Sequence, residues 1–184
     1  MMYDVVVIGG GAAGVQVATA VSKAGLKCAL VCFGRSISGA DPNVQGVDLI
    51  LGDKAVEARY EGTGVVSVTT ANGIRLQAAD FVLATGKFFG EGLVADMDSV
   101  REPLFDSDVK YEQDRSKWFD ADFMAPQAFL EFGVQTDAKG HLLKGGSPLS
   151  NVYAVGLVVA GVNAAVPEYE CDTVISELIC RKRI

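Results

Sequence analysis

Residues Asp4 to Gly14 read DVVVIGGGAAG, and no other stretch limits the possible folds of this chain as much. Val5, Val6, Val7 and Ile8 form a run of β-branched residues that is apolar on both faces. That is the pattern of a strand buried inside a parallel sheet. The run passes directly into glycines at positions 9, 11 and 14, which makes GxGxxG at the mouth of a helix. Gly9 allows the tight strand-to-helix turn, Gly11 leaves room for a pyrophosphate to approach the backbone, and Gly14 lets the helix pack closely on the strand. The N–H groups of Ala12, Ala13 and Gly14 have no earlier carbonyl to bond within the helix. With the positive end of the helix dipole they face whatever lies at the turn. In this strand-to-helix setting the motif points to dinucleotide binding; the other reading is a glycine-rich turn without a ligand.

The first unit reads as strand, helix, strand, over about 3–8, 12–24 and 26–33. Val15, Ala18, Val21 and Ala24 recur at helical spacing, and Gly25 stops the helix. Residues 34–46 form a loop rich in Gly, Ser, Asp, Pro and Asn. Candidate strands follow at about 54–60, 64–70 and 73–78, with a hairpin signal at Ala71-Asn72-Gly73. DFVLATG, from Asp80 to Gly86, returns to a buried strand that ends in glycine. Residues 87–150 mix acidic and aromatic side chains, among them Trp118, Phe119, Phe123, Phe129 and Phe132, and read as short helices and loops. NVYAVG, from Asn151 to Gly156, is a last buried strand, and a final helix over about 168–182 carries Val174, Leu178 and Ile179 on one face.

Bulk properties narrow the classes. The chain has 184 residues, 49% of them hydrophobic, and a net charge of −7. That is enough for one well-cored domain, and the acidic balance argues against nucleic acid or an anionic membrane as partner. The basic tail Arg181-Lys182-Arg183 suits the last turn of a helix, where cations meet the negative end of the dipole. No apolar stretch reaches membrane-spanning length, so direct membrane insertion is not expected. The N-terminus reads as a strand of the fold rather than a signal peptide, which points to the cytoplasm. Cys28 and Cys32 share one strand, roughly 13 Å apart, and cannot bridge each other. No cysteine pair has metal-ligand spacing, and His141 is the only histidine. A metal site or a Ser-His-Asp hydrolase has little to build on, and no catalytic residue is identified.

DVVVIGGGAAG, FVLATG and NVYAVG together resemble the skeleton of glutathione-reductase-type FAD-binding domains. KFFGEGLVADMDSVREPLF (87–105) and WFDADFMAPQAFLEFGVQTD (118–137), together with NVYAVG, resemble the C-terminal part of the B subunit of anaerobic glycerol-3-phosphate dehydrogenase. A looser similarity connects the chain to proteins of the glucose-inhibited division protein A type. The resemblance implies an α/β, Rossmann-like FAD/NAD(P)-binding domain, with a central parallel sheet, helices and a small antiparallel three-stranded meander. One domain is expected over 1–184: a βαβ start at 1–33, the meander at 54–78, an irregular family-specific insertion at 87–150 and the final strand and helix at 151–184. Cofactor-binding residues would be Gly9, Gly10, Gly11, Ala12, Ala13 and Gly14 at the turn; Phe33, Gly34, Arg35 and Ser36 after the second strand; Ala55 and Val56; Ala84, Thr85 and Gly86; and Gly156.

Three departures from that family bear on function. The loop at 34–46 stands where a large middle portion should be. The second strand ends Val31-Cys32-Phe33-Gly34-Arg35-Ser36, without the carboxylate that usually meets the adenosine ribose. Ser36 can donate a replacement hydrogen bond. Arg35 is either a solvated loop charge or a partner for a 2′-phosphate, which would mean NADP. The last helix opens Glu170-Cys171-Asp172-Thr173-Val174 in place of a glycine-rich run. Glu168, Glu170 and Asp172 either cap the helix or tune a flavin's potential. Cys171 is either an activated thiol at a helix start or a plain semi-buried cysteine. Lys87 either meets a phosphate or flavin carbonyl or is a surface lysine.

The resemblance implies FAD as cofactor, with FMN and NADP as alternatives. Its function would be electron relay within a dehydrogenase, completed by a partner subunit or a homodimer. The alternatives are a nucleotide-binding or regulatory module with a degenerate flavin end, and an NADP-binding protein.

Overall fold

A computed structural model of the chain describes residues 2–37, 44, 46–162 and 171–181. Strand β1 (Met2–Ile8) leads through the glycine turn into helix α1 (Ala12–Lys23), then β2 (Cys28–Cys32) and β3 (Val47–Leu51). β4 (Ala55–Glu61), β5 (Gly64–Thr70) and β6 (Arg75–Leu83) follow. Short pairs β7 (Val94–Ala95) with β8 (Val100–Arg101), and β9 (Val109–Lys110) with β10 (Gly133–Val134), lie in the next segment, before β11 (His141–Lys144) and β12 (Ser147–Ala154). Helix α2 (Asp172–Cys180) is the last described element.

The central sheet runs β11-β12-β6-β1-β2-β3, with all neighbours parallel except β11 against β12. Side-chain alternation sends its two faces to different partners. Val152, Phe81, Val6 and Ala29 stand in register across four strands, each without solvent exposure. They face the antiparallel strands together with Leu93, Phe105, Trp118 and Phe132. One residue along, Tyr153, Val82, Val7 and Leu30 form the matching row on the other face, under both helices. Each buried Val, Leu or Phe side chain in these rows contributes about 1.5–3 kcal/mol through removal of apolar surface from water.

Several expectations shift. The buried stripe of α1 is Ala13, Gly14, Val17, Ala18 and Val21. Val15 is only partly buried and Ala24 is the exposed cap residue, because the sheet contacts a face turned from the one inferred. β3 was not foreseen: its exposed Asp48, Leu49 and Leu51 mark an edge strand with no clean alternation. The strands expected at 73–78 and 80–86 are one strand, β6. Its first half alternates exposed and buried, as in the antiparallel sheet with β5; its last four residues are all buried, as in the parallel sheet. The three-stranded meander β4-β5-β6 therefore merges into the central sheet. Within 87–150 there are two 3-10 turns, Arg115–Lys117 and Ala128–Glu131. β12 already begins at Ser147 rather than Asn151. Asn151 ties it to the meander through Val65 N, Val65 O and Ala79 O, each at 2.8 Å. Residues 168–170 of the expected last helix lie outside the described residues.

Trp118, Phe132 and Tyr111 make a three-ring, edge-on cluster with centroids 5.5–6.3 Å apart. Trp118 Nε1 donates to Glu112 O at 2.6 Å, which pairs the one polar atom of that ring.

Candidate functional site: a cleft over the glycine turn

The parallel strands all end at the same side of the sheet, and a cleft of about 410 Å³ opens there. Small-molecule sites range over roughly 300–1,000 Å³, so this is a modest one. Gly9 through Ala13 line its floor. Gly9 has a φ of 119°, and its N–H donates to Val31 O at 2.8 Å. A Cβ on Gly9 would lie 2.2 Å from Ala84 O, and one on Gly14 would lie 2.0 Å from Gly9 O. These two glycines are required by packing alone. Gly11 differs: a Cβ there would meet nothing within 4 Å. Gly11 is also the N-cap of α1, which has no side-chain cap and no acidic residue in its first turn. The positive helix end is thus left for something in the cleft.

Phe33, Gly34 and Ser36 line the cleft beyond β2, Ala55 beyond β3, and Ala84, Thr85 and Gly86 beyond β6. Four expected contacts do not line it. Gly14 is packed beneath the turn. Arg35 is exposed, with its Cγ 3.9 Å from where a Cβ on Gly52 would stand. Val56 faces solvent on β4. Gly156 is buried and opens a 3-10 turn, leaving its neighbour Leu157 to face the cleft.

Other residues on the cleft had no signal in the sequence. Asp53 and Lys54 follow β3, and Phe89, Glu91 and Glu102 come from the segment after β6. Lys54 and Glu91 form an ion pair on the cleft wall. Asp53 is 4% exposed. Its Oδ1 accepts from Lys54 N at 2.8 Å and Asn72 N at 3.3 Å. Its Oδ2 and Thr85 Oγ1 are buried without a hydrogen-bond partner among the described residues. Burial works against ionisation of Asp53, but the nearby Thr70 hydroxyl and the backbone donors outweigh it and hold the carboxyl below its usual range. Glu102 is 1% exposed and accepts from Leu104 N, Phe105 N and the Ser107 hydroxyl. Burial pushes its carboxyl above the usual range, against those hydrogen bonds.

Lys87 does not line the cleft. Its Nζ donates to Phe132 O at 2.5 Å, and burial brings its pKa down to about 8. Cys171 is fully buried, and burial followed by the nearby Asp172 pushes its thiol up to about 11. It is therefore the inert cysteine of the two readings. Asp172 lies in the first turn of α2, where a carboxylate favours the helix start.

Residues 43–168, more than half of the chain, match the family model described as FAD binding domain. The chain belongs to the FAD-binding domain family. FAD is the cofactor that the family's description names. The matched region starts after the glycine turn, so the turn is an observation independent of it. The chain is also similar to the B subunit of anaerobic glycerol-3-phosphate dehydrogenase from several bacteria. The Yersinia enterocolitica protein is 38% identical over 112 residues, 60% of this chain and 26% of that protein. The Aliivibrio fischeri protein is 32% identical over 140 residues, 75% of this chain and 31% of its own length. The Actinobacillus pleuropneumoniae protein is 41% identical over 117 residues, 60% of this chain and 27% of its own. The chain thus spans about a quarter to a third of these relatives. Among solved structures, Aquifex aeolicus GidA is 19% identical with a TM-score of 0.40, covering 47% of this chain and 25% of that one. No helix among the described residues is long and apolar enough to cross a membrane.

In this family member, the cleft's features fit the nucleotide half of FAD. The open Gly11, the uncompensated start of α1 and two buried unpartnered oxygens all lie along one groove. Pro103, Leu104 and Leu157 add apolar side chains to the lining.

Proposed function

We propose that this chain is a flavin-carrying electron relay, of the kind its similarity to a dehydrogenase B subunit suggests, and that it works beside a partner subunit. The observation that carries the reading is the contrast within GxGxxG. Gly9 and Gly14 are demanded by packing, while Gly11 is demanded by nothing in the protein itself. A phosphate against the backbone explains a glycine there. The N–H groups of Ala12 and Ala13 and the helix end would hold the pyrophosphate of FAD. Phe33, Gly34, Ser36 and Ala55 would flank the adenosine. Ala84, Thr85 and Gly86 would run beside the flavin half. When bound, the flavin supplies the electron chemistry. The residues on the cleft include no histidine, and the carboxylate of Glu102 is held by three donors. The relay reading itself rests on the similarity to a B subunit, since Asp53 and Glu91 also place carboxylates on the cleft. Arg35, exposed and off the cleft, gives the NADP alternative no support.

The test is reconstitution with FAD. The protein should retain the visible bands of an oxidised flavin through gel filtration, and Gly11→Val should melt like wild type yet emerge colourless. A wild-type protein that takes up no flavin, or a Gly11→Val variant that binds as wild type does, would overturn the reading.

A further inference from the structure

The end of β2 lacks the carboxylate that would meet a ribose, yet the cleft contains a carboxylate beside that same strand end. Asp53 N donates to Cys32 O, the last residue of β2, at 3.2 Å, and Gly52 N donates to Gly34 O at 2.9 Å. The linker after β3 thus folds back onto β2 and places Asp53 on the cleft wall next to Cys32. Cys32 in turn packs on the glycine turn, with its Sγ 2.4 Å from where a Cβ on Gly10 would stand. Glycine turn, Cys32 and Asp53 therefore follow one another across neighbouring strand ends, which are about 4.8 Å apart. The sugar joined to a pyrophosphate on the turn would lie one strand over, at this point.

The carboxylate is only half explained by the protein. Oδ1 closes the β5–β6 hairpin through Asn72 N and caps its own linker through Lys54 N. The Thr70 hydroxyl and the Asn72 side-chain amide favour the charged carboxylate from nearby, but no donor among the described residues meets Oδ2 with hydrogen-bond geometry. A buried acceptor without a donor is costly, and a buried carboxylate oxygen more so. A turn-closing role needs one oxygen, and an asparagine would serve it equally. The second oxygen calls for a donor from outside the chain.

We propose that Asp53 is the adenosine-recognising residue of this cleft: its carboxylate accepts a hydrogen bond from a ribose hydroxyl and rejects a phosphorylated ribose by like charge. The assignment rests on the nucleotide-binding reading above. It adds that the ribose acceptor comes from the end of β3 instead of β2. It also makes the cleft selective for ADP-type over 2′-phosphorylated nucleotides, the opposite of what Arg35 suggested.

Calorimetric titration of the intact chain with ADP, 2′-deoxy-ADP, 3′-deoxy-ADP and adenosine 2′,5′-bisphosphate tests this without any flavin. ADP should bind on the order of ten- to a hundredfold tighter than at least one deoxy analogue, and the 2′,5′-bisphosphate should bind weakest. Asp53→Asn keeps an oxygen for the two backbone donors, so it should fold, and it should raise the affinity of the 2′,5′-bisphosphate relative to ADP. A purely turn-closing Asp53 would leave that ratio unmoved. Equal affinity of wild type for ADP and both deoxy analogues would overturn the assignment while leaving nucleotide binding intact, and needs no variant to fold. Absence of any ADP binding would overturn the assignment together with the nucleotide reading on which it rests.

Discussion

Arg181 and Asp80 join the end of α2 to the middle of β6. One guanidinium nitrogen of Arg181 lies 2.9 Å from Asp80 Oδ1, and it also donates to Tyr153 Oη at 2.8 Å and to Ser150 O at 3.1 Å. The arginine side chain is 44% exposed and the aspartate 11%, so solvent screens one partner far more than the other. A basic residue that suits the helix dipole in the sequence is, in the fold, the tie between the last helix and the sheet. We expect Arg181→Ala to destabilise the protein by about 1 kcal/mol, at the upper end for partly exposed pairs because several bonds are lost together. Urea denaturation of the variant checks this, and an unchanged midpoint would show the tie to be idle.

The glycine turn separates a folding requirement from a binding requirement. Gly14→Ala would push a methyl group to 2.0 Å from Gly9 O, a backbone atom with nowhere to go. The expected loss is about 1–3 kcal/mol, even though alanine is the better helix former by roughly 1 kcal/mol. Gly11→Ala has free space and should change stability by no more than a few tenths of a kcal/mol. Thermal melts of the two variants, compared directly, should order them that way.

Thiol accessibility gives a second check on the packing. Cys28, Cys32 and Cys171 are buried and Cys180 is exposed. Burial, helped by Asp48 and Asp4, pushes the Cys28 thiol up to about 12. An aromatic disulfide reagent at neutral pH should label Cys180 in the native protein and all four cysteines after denaturation. Fast native labelling of Cys171 would contradict its place beneath the start of α2.

Lys87 makes stability depend on pH in the alkaline range. Its pKa falls on folding from 10.5 to about 8 because burial disfavours the charged ammonium. Between those values the unfolded chain binds more protons at this site than the folded one, so the contribution of Lys87 to stability should rise as the pH goes from about 8 to about 10.5, against the opposite contribution of the buried Cys28 and Cys171 thiols above pH 9. Lys87→Gln should lack this rise, so the difference in unfolding free energy between wild type and variant should grow with pH over that window. A constant difference would mean that the ammonium is solvated.

Local pattern carried the skeleton. β1, the glycine turn and α1 were legible because a run of β-branched residues and three spaced glycines each have one economical structural solution. β4, β5 and the hairpin at Asn72-Gly73 were legible from alternation and turn chemistry. β3 was not, because an edge strand of five residues with Asp48 and two exposed leucines resembles a loop as much as a strand. Asp80 looked like a break between two strands. It is interior to β6, with its charge met by Arg181, 101 residues further along the chain.

The sequence by itself determined that this chain builds a parallel α/β sheet with a phosphate-sized gap at Gly11, since strand and helix formation, tight turns and missing side chains are local properties. Only the tertiary structure decided what surrounds that gap. Asp53 and Lys54 after β3, Glu91 between β6 and β7, and Glu102 after β8 reach the cleft from three separate segments, and no spacing in the sequence connects those segments. Whether a carboxylate is satisfied or left with an orphaned oxygen depends on which backbone donors, local and distant, the fold brings to it. For Asp53 those are Lys54 N and Asn72 N on one oxygen and none among the described residues on the other.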